Sequence, residues 1–563
     1  MNRILRSTAI VSGMTLISRI LGYLRDMVLA VTFGAGATTD AFFVAFRIPN
    51  FFRRLFAEGA FSQAFVPVFA EYREKHGRVA LRDLLDHTAG TLLTALTLVT
   101  LAGVLAAPWL IWVFAPGLAQ AEGRQDLAVQ MLRITFPYLL FISLTAMAAG
   151  ILNSIGRFAV PAFTPVFLNL ALIAAALWGA PLFPEPIVAL AWGVFLAGIL
   201  QLAFQVPFLV RAGLLPRPRF RRAHAGVRKI VRLMLPAILG TSVVQVNLLV
   251  DTVIASFLVA GSISWLYFGD RFVELPLALF GIAIATVILP RLSGEHSRAD
   301  QAAFGRTLDW ALRLSLLVAL PAAAGLILLS VPILATLIQY NAFTEQDTRM
   351  AAMALAAYGL GLPGFILIKI LAPGFFARQD TRTPVKIAVI AMLANMLLNL
   401  LFVLPWYLSG IPGAHAGLAL ATSASAYLNA GLLYRGLLRE GIYRPGPALP
   451  RFQVGLWSAL AVMAALLILL APGWDQWTGW PATQRGMVLF GLIAAGSGAF
   501  LRSGKATGRW VRRRSRCPTI FSRVRSTRKR TGRRRPPVSR KLGGSRAPSL
   551  MVPLPGAGYR CCP

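Results

Sequence analysis

Cysteine, histidine and acidic residues are all scarce in this sequence of 563 residues. It has three cysteines, at positions 517, 561 and 562, and five histidines. The first 516 residues therefore exclude a disulfide framework and a cysteine-based metal site. The sequence also lacks a phosphate-binding loop, a G-x-S-x-G nucleophile motif and zinc-ligand spacing, so none of these enzyme signatures is present. We expect a protein that is not an enzyme.

Charge of either sign is also infrequent, whereas apolar residues are abundant. Hydrophobic residues make up 57% of the chain, charged residues make up 14%, and the mean hydropathy is +0.66. Apolar runs of about 20 residues, the length that crosses a bilayer as a helix, recur along nearly the whole sequence. The basic residues 1–6 suggest a signal peptide, but further apolar segments follow at once. These features predict an all-α polytopic membrane protein.

Fourteen membrane spans account for the apolar runs. The loops after even-numbered spans carry clusters of Lys and Arg, or the single Arg157, and those after odd-numbered spans hold at most one basic residue. By the positive-inside rule, both termini then lie in the cytoplasm. The predicted spans are 8–32, 39–66, 88–114, 128–153, 160–180, 187–210, 229–259, 264–290, 308–338, 350–376, 385–407, 412–434, 452–472 and 485–501.

The sequence repeats itself at a distance of about 225 residues. The run that starts at Asp26 matches the run that starts at Asp251 without a gap, and Phe43 then falls on Phe268. Each copy holds six spans, which predicts two lobes related by a pseudo-two-fold axis along the membrane normal. A solute site between such lobes is typical of a transporter; two static duplicated lobes are the alternative. The predicted units are the N-lobe 1–211, a basic cytoplasmic linker 212–225, the C-lobe 226–440, two further spans in 441–501 and a tail 502–563.

The tail holds much of the excess positive charge. Of the 56 Lys and Arg residues, 19 lie after residue 501, where there is no Asp or Glu. This composition predicts a disordered segment with three open interpretations: a non-native reading frame, a positive-inside anchor, or a site for anionic lipid or RNA. We base no function on the tail, and we expect no nucleic-acid partner.

Several predicted spans contain charged residues, which are costly inside a bilayer and usually face a wet, protein-lined cavity. Arginine outnumbers acid around the first two spans, and its planar guanidinium suits bidentate contact with phosphate or pyrophosphate. A cavity for an anion is therefore predicted; local ion pairs such as Arg19–Asp26 or Asp270–Arg271 are the alternative. The charged residues are Arg19, Arg25, Asp26, Asp40, Arg47, Arg53, Arg54, Glu58, Asp270, Arg271 and Glu274.

A second group of polar residues combines Asp251 in span 7 with Asn395 and Asn399 in span 11. The two asparagines are four residues apart and so share a helix face. Carboxylate and amide oxygens suit a small hard cation, and Thr422 in span 12 could add a hydroxyl. Hydrogen bonding between helices is the alternative interpretation.

Several long motifs stand out in the chain. They include SRILGYLRD from Ser18, TDAFFVAFRIPN from Thr39, RRLFAEGAFSQAFVP from Arg53, GSISW from Gly261, and LAPGFF from Leu371. These motifs resemble the MurJ (MviN) family of lipid II flippases, within the multidrug/oligosaccharidyl-lipid/polysaccharide exporter superfamily. The resemblance extends from about residue 2 to residue 501. It implies a fourteen-helix protein of the bacterial inner membrane that moves an undecaprenyl-pyrophosphate-linked disaccharide-pentapeptide to the periplasmic leaflet.

The resemblance also implies roles for individual residues. Substrate-binding positions carry over onto Arg19, Arg25, Asp40, Arg53 and Arg271, with Ser264 and Glu274 nearby. The family's sodium site would map onto Asp251, Asn395, Asn399 and Thr422, with Asn399 standing where an acid is expected. Lipid II and membrane lipids are the implied partners, cell-wall synthesis proteins are further candidates, Na⁺ is a candidate coupling ion, and a monomer is expected. An exporter of another lipid-linked oligosaccharide is the alternative.

Overall fold

The apolar runs of the sequence form helices because a backbone in hydrocarbon must satisfy its own hydrogen bonds. The structure, a computed structural model, describes residues 2–54, 61–120, 123–220, 224–446 and 449–506, and these contain no β-strand. The predicted all-α membrane fold is confirmed. The tail beyond residue 506, and Glu58 with its neighbours, lie outside the described residues.

Twenty-one α-helices follow one another along the described residues. Short π-helical turns at Ala175–Gly179 and Leu277–Ile282 continue α9 and α12. The helices are α1 Asn2–Phe33, α2 Ala37–Phe52, α3 Ser62–Lys75, α4 Gly77–Leu105, α5 Ala107–Phe114, α6 Arg124–Thr135, α7 Tyr138–Ser154, α8 Ala159–Phe163, α9 Pro165–Ala174, α10 Val188–Ala212, α11 Ala225–Ser256, α12 Ser262–Pro276, α13 Ala283–Ser297, α14 Gln301–Leu328, α15 Ser330–Leu337, α16 Glu345–Phe376, α17 Arg382–Leu408, α18 His415–Arg439, α19 Leu449–Leu470, α20 Trp474–Gly479 and α21 Ala482–Ala506.

Eleven helical segments among the described residues are long and apolar enough to cross a membrane. Three predicted spans are not among them: 8–32, 39–66 and 229–259. The first two carry several charged residues, and the second ends as α2 at Phe52, before the residues that the structure leaves undescribed. The third is represented by the shorter apolar stretch Gln245–Ser256. The count of fourteen stays a prediction.

The order of helices in the first 212 residues recurs in residues 225–439. The helix α2 begins at Ala37 and α12 begins at Ser262, which is 225 positions later, as the repeat requires. Each half then continues with a helix of 14 or 15 residues, a long helix and a short helix: α3, α4 and α5 in the first half, α13, α14 and α15 in the second. The boundaries of the two lobes themselves stay a prediction.

Helices pack mainly against others of the same half. In the first half α10 packs on α7 and α9, and α2 packs on α6; in the second, α16 packs on α14, α18 and α12. The C-terminal helices α19 and α21 pack on each other and on α14. The two halves meet chiefly where α3, α4 and α5 contact α11 and where α2 contacts α12.

Two glycines allow close approach where the halves meet. Gly34 follows α1 with φ +68°, and a Cβ there would lie 2.3 Å from the carbonyl oxygen of Ala342. The backbone N–H of Ala342 donates to the carbonyl of Val31 over 3.1 Å. Gly261 precedes α12 with φ +96°, and a Cβ there would lie 2.7 Å from the Trp265 ring. Both positions require glycine because the backbone is left-handed and the neighbouring atoms leave no room.

His224, at the end of the predicted linker, contacts two residues of α4. Its Nδ1 accepts hydrogen bonds from the backbone N–H groups of Gly226 and Val227, which caps α11. Its Nε2 lies 3.4 Å from a carboxylate oxygen of Asp83, and its ring stacks on His87. The histidines are dispersed in the sequence, yet folding brings two of the five together. Because Nδ1 accepts, this histidine caps the helix only while it is neutral.

We predict that this cap weakens in mild acid. Burial lowers the pKa of His224 below its usual 6.5, although Asp83 opposes the shift. A histidine with a lowered folded-state pKa stabilises the fold fully above about pH 6.5 and progressively less as the pH falls below it. Hydrogen exchange of the Gly226 and Val227 amides, corrected for intrinsic rate, should be faster at pH 5.5 than at pH 7.5. In a His224→Asn variant, asparagine caps without titrating and the difference should vanish; equal protection at both pH values in the unaltered chain would contradict the prediction.

Candidate substrate cavity

A cavity of about 640 Å³ lies between helices of the two halves. Its walls come from α1, α2, α7, α9 and α10 of the first half and from α11 and α12 of the second. Among the described residues, six arginines and three carboxylates line it, so the cavity carries a net positive charge: Arg19, Arg25, Arg47, Arg53, Arg54 and Arg271 against Asp26, Asp270 and Glu274. The predicted anion cavity therefore has the required charge.

Arg25 is buried in a hydrogen-bonded network at the cavity wall. Its Nε and Nη2 atoms donate to the same carboxylate oxygen of Asp26, over 2.9 and 2.6 Å. Its Nη1 donates to the side-chain oxygen of Asn169 on α9, and Nη2 also donates to the hydroxyl of Tyr267 on α12. This arginine thus links α1 to both halves of the chain, and its charge is largely balanced by Asp26.

Arg271 joins the same network from the second half. Its Nε lies 3.3 Å from Asp26, and its Nη1 donates to Glu274 over 2.7 Å. Its guanidinium lies over the Tyr267 ring, 4.6 Å from the centroid, and the Tyr267 hydroxyl donates to Asp26 over 2.8 Å. Tyr23 adds a further link, since its hydroxyl donates to the backbone carbonyl of Arg271. Asp26 is therefore shared by two arginines from opposite halves.

Two of the other cavity arginines, Arg19 and Arg47, are less neutralised. Arg19 is exposed to the cavity, and no carboxylate among the described residues lies within 4 Å of it. Arg47 donates to the hydroxyl of Thr252 on α11 over 2.8 Å, and it likewise has no described carboxylate within 4 Å. Because their described neighbours are neutral, these two arginines keep their charge for an incoming anion.

The predicted alternative of local ion pairs is partly correct, but with different partners. Asp26 pairs with Arg25 and Arg271, not with Arg19. Arg271 forms ion pairs with Asp26 and Glu274, while Asp270 is exposed to the cavity. A helix face predicted from spacing alone cannot show which arginine of another helix reaches the same carboxylate.

Asp40 and Ser264 are not part of the cavity wall. The carboxylate of Asp40, on α2, accepts hydrogen bonds from the backbone N–H groups of Gly261 and Ser264 over 2.7 and 2.8 Å. It also accepts one from the Ser264 hydroxyl over 2.5 Å. Asp40 thus caps the N-terminus of α12 across the two halves, where the helix dipole favours a negative charge. In this conformation the two residues bind each other instead of lining the site predicted for them.

The four residues predicted as a cation site do come together. Asn399 is buried, and its Nδ2 donates to Asp251 over 2.7 Å and to the Asn395 oxygen over 3.2 Å. Asn395 in turn donates to the Thr422 hydroxyl over 3.4 Å. The Oδ1 atom of Asn399 is buried and has no hydrogen-bond partner among the described residues. None of the four residues is among those that line the cavity.

Two residues of the arginine network, Asn169 and Tyr267, are not predicted as site residues from the sequence. Asn169 is buried; besides accepting from Arg25, it donates from Nδ2 to the Ser18 carbonyl over 2.9 Å. Asn169 is the single polar residue in the apolar sequence of α9. A polar residue in such a run is the sequence feature that could have predicted it. Tyr267 lies four residues before Arg271 on one helix face, so its place beside that arginine follows the i, i+4 rule.

Fold and cavity together define a class: a polytopic helical membrane transporter with a positively charged cavity between two halves of the chain. Within that class, the family model described as "Lipid II flippase MurJ" matches residues 29–480. The chain belongs to this family, which confirms the resemblance seen in its motifs.

Relatives and solved structures agree with this assignment. The chain is 48% identical over 506 residues to a "Probable lipid II flippase MurJ" of Vibrio cholerae, covering 89% of this chain and 95% of that protein. It is 45% identical to a "Lipid II flippase MurJ" of Burkholderia cenocepacia, covering 84% and 91%. A solved "Lipid II flippase MurJ, inward closed conformation" superposes with a TM-score of 0.73 at 27% identity, covering 87% and 98%. A MATE-family multidrug transporter in an inward-facing conformation shares the fold at a TM-score of 0.62 and 14% identity, covering 75% and 95%.

We predict that Asp40→Ala destabilises the protein. Loss of three hydrogen bonds to a buried carboxylate should cost on the order of 2–3 kcal/mol, because the N-terminus of α12 is left uncapped. Ser264→Ala removes only the hydroxyl donor and should have a smaller effect. Melting temperatures of the purified variants in detergent measure this order. An unchanged melting temperature for Asp40→Ala would contradict the capping role.

Proposed function

We propose that this chain is a lipid II flippase, which carries the undecaprenyl-pyrophosphate-linked peptidoglycan precursor from the cytoplasmic to the periplasmic leaflet by alternating access. The observation that carries the proposal is the excess of arginine over carboxylate in a cavity between two halves of the chain. Relatives that align over nine-tenths or more of their length are named for this activity. An exporter of a different lipid-linked oligosaccharide is less favoured by those names.

The cavity charge fits the pyrophosphate of such a lipid. Arg19 and Arg47 have no carboxylate within 4 Å among the described residues and would make the first contacts. A guanidinium fork binds phosphate oxygens bidentately, and the attraction is stronger away from bulk water. The polyprenyl chain would stay in the lipid while the polar head crosses. The cost of placing arginines at membrane depth is then offset by the substrate.

Substrate binding would also loosen the contact between the halves. The pyrophosphate competes with Asp26 for Arg25 and Arg271, which are the residues that join α1 to α12. A ligand shifts a conformational equilibrium only by binding its two states differently. We propose that this exchange of anionic partners lets the halves separate where they now meet, so that the cavity opens to the other leaflet.

The membrane orientation follows from charge. The loops predicted to be cytoplasmic carry most of the basic residues, including the stretch 211–232, which supports cytoplasmic termini and a bacterial inner-membrane location. We expect a monomer, since the cavity lies within one chain. Cell-wall synthesis proteins are candidate partners.

Sodium is our proposed coupling ion. Asp251 provides a carboxylate, and the Asn395 and Asn399 amide oxygens and the Thr422 hydroxyl would complete an oxygen ligand set. The unpartnered Oδ1 of Asn399 fits this role once its amide turns. Asn247 lies beside Asp251, and its Oδ1 is buried with no partner in the described part of the chain, so it could contribute a further oxygen.

The proposed function predicts rescue of a bacterium depleted of its own lipid II flippase. The full chain and residues 1–501 should each restore growth and accessibility of lipid II at the outer leaflet, and their comparison tests whether the tail matters. Arg25→Ala should abolish rescue while membrane insertion stays intact, because the pyrophosphate loses a buried guanidinium. Arg133→Ala, an exposed arginine of α6 outside the cavity, is the matched control and should rescue normally.

Two results would count against this function. One is stable insertion of both forms while lipid II stays at the inner leaflet, which would assign the cavity to another lipid-linked substrate. The other is normal growth with Arg25→Ala as the sole copy, which would remove the arginine network from the transport step.

The sodium proposal predicts an ion-specific gain in stability. A ligand that binds only the folded state raises its stability, so the melting temperature in detergent should be higher in NaCl than in KCl at equal ionic strength. Asp251→Asn should remove the difference, and Asn399→Asp should enlarge it by adding a second carboxylate. Equal melting temperatures in both salts would favour the alternative, in which these side chains only join helices.

A further inference from the structure

The cavity has a second wall whose chemistry differs from that of the arginines. Every described residue from positions 114 to 205 that lines the cavity is uncharged. Most of these residues come from α7, α9 with the residue before it, and α10. The polar ones among them are mostly amides and hydroxyls: Thr145, Asn153, Thr164, Asn169, Gln201 and Gln205. An anion has no reason to select such a wall, so another part of the substrate must face it.

The amide orientations of Gln201 and Gln205 are determined by Thr164. Gln201 Nε2 donates to the backbone carbonyl of Thr164, which can only accept, so the oxygen of Gln201 must face away. The Thr164 hydroxyl donates its hydrogen bond to the Val160 carbonyl over 2.9 Å. It therefore accepts from Gln205 Nε2, also over 2.9 Å, and the oxygen of Gln205 faces away as well.

Both side-chain oxygens are left without partners. Gln201 is 2% exposed and Gln205 is 0% exposed, and neither Oε1 atom has a hydrogen-bond partner among the described residues. The two residues are four apart on α10 and therefore stand one above the other on one helix face. Buried acceptors of this kind are costly until a donor reaches them. They form a pair of fixed acceptors at the cavity wall.

The pair lies close to the arginine network. Thr164 immediately precedes α9, and Asn169, five residues later, accepts from Arg25 over 3.1 Å. Five residues of helix advance about 8 Å along its axis. A group bound at the glutamines is therefore about one sugar ring away from a group bound at Arg25.

We propose that Gln201 and Gln205 form the saccharide subsite of the cavity, accepting hydrogen bonds from hydroxyl or amide N–H donors of the sugar next to the pyrophosphate. The proposal rests on the proposed function and assigns a part of the same substrate. Ionised phosphate oxygens only accept hydrogen bonds, so they cannot satisfy these two acceptors. Sugar hydroxyls and N-acetyl amides do. The subsite thus lets the protein distinguish a glycosylated lipid from a bare polyprenyl pyrophosphate.

The test compares two ligands on the full-length protein in nanodiscs. Affinities for lipid II and for undecaprenyl pyrophosphate without sugars are measured for the unaltered chain, for Gln201→Met and Gln205→Met, and for Arg25→Ala. Each methionine substitution keeps the volume and removes the acceptor. We expect each to lower the ratio of the two affinities, lipid II over undecaprenyl pyrophosphate, by about tenfold. Arg25→Ala should weaken both ligands and leave the ratio unchanged.

Control experiments distinguish failure of the saccharide subsite from failure of the proposed flippase function. Gln130→Met, an exposed glutamine of α6 outside the cavity, should leave the ratio unchanged. Retained binding of undecaprenyl pyrophosphate shows that a methionine variant is folded. If the unaltered chain binds lipid II and the methionine variants keep its ratio, the saccharide subsite is wrong while the flippase function stands. If the unaltered chain binds neither lipid, both proposals fail.

Discussion

The sharing of Asp26 between Arg25 and Arg271 is the interaction on which the arrangement of the cavity depends. One carboxylate on α1 holds guanidinium groups from both halves of the chain, and Tyr267 fills the gap between them. Buried charges persist only when they are paired and hydrogen-bonded. Here the pairing also joins the halves, so the contact that makes the arginines tolerable at membrane depth is the one that the proposed mechanism requires transport to break.

A site that joins two halves through ionic contacts couples binding to movement without further machinery. An anion that binds the same guanidinium groups replaces one set of charge pairs by another, and the cavity stays electrostatically satisfied throughout the exchange. The Asp40 cap on α12 works differently, since neither Asp40 nor Ser264 is among the residues that line the cavity, where an anionic substrate would bind. Of these two contacts between the halves, one lies where an anion in the cavity can reach it and the other lies outside the cavity wall.

The uncharged wall extends the same physical reasoning to specificity. Charge alone accepts any lipid phosphate, whereas fixed hydrogen-bond acceptors reject a ligand that cannot donate to them. The orientation of Gln201 and Gln205 is set by Thr164, and Asn169 connects that wall to Arg25. The cationic and neutral parts of the cavity are thus connected through α9 and the residue before it, where Thr164 contacts the glutamines and Asn169 contacts Arg25.

The sequence by itself determined the all-α membrane fold, the repeat and the excess of arginine, because each depends on local composition or on spacing along one helix. Motifs identified the family. Only the tertiary structure decided which charges meet: Asp26 takes Arg25 and Arg271 instead of Arg19, and Asp40 caps α12 instead of lining the cavity. The contacts of Asp26 with Arg271 and of Asp40 with Gly261 join residues more than 200 positions apart. Helix periodicity predicts on which face of its helix a side chain lies. Which other helix contacts that face is determined by tertiary packing, and a local sequence pattern carries no information about it.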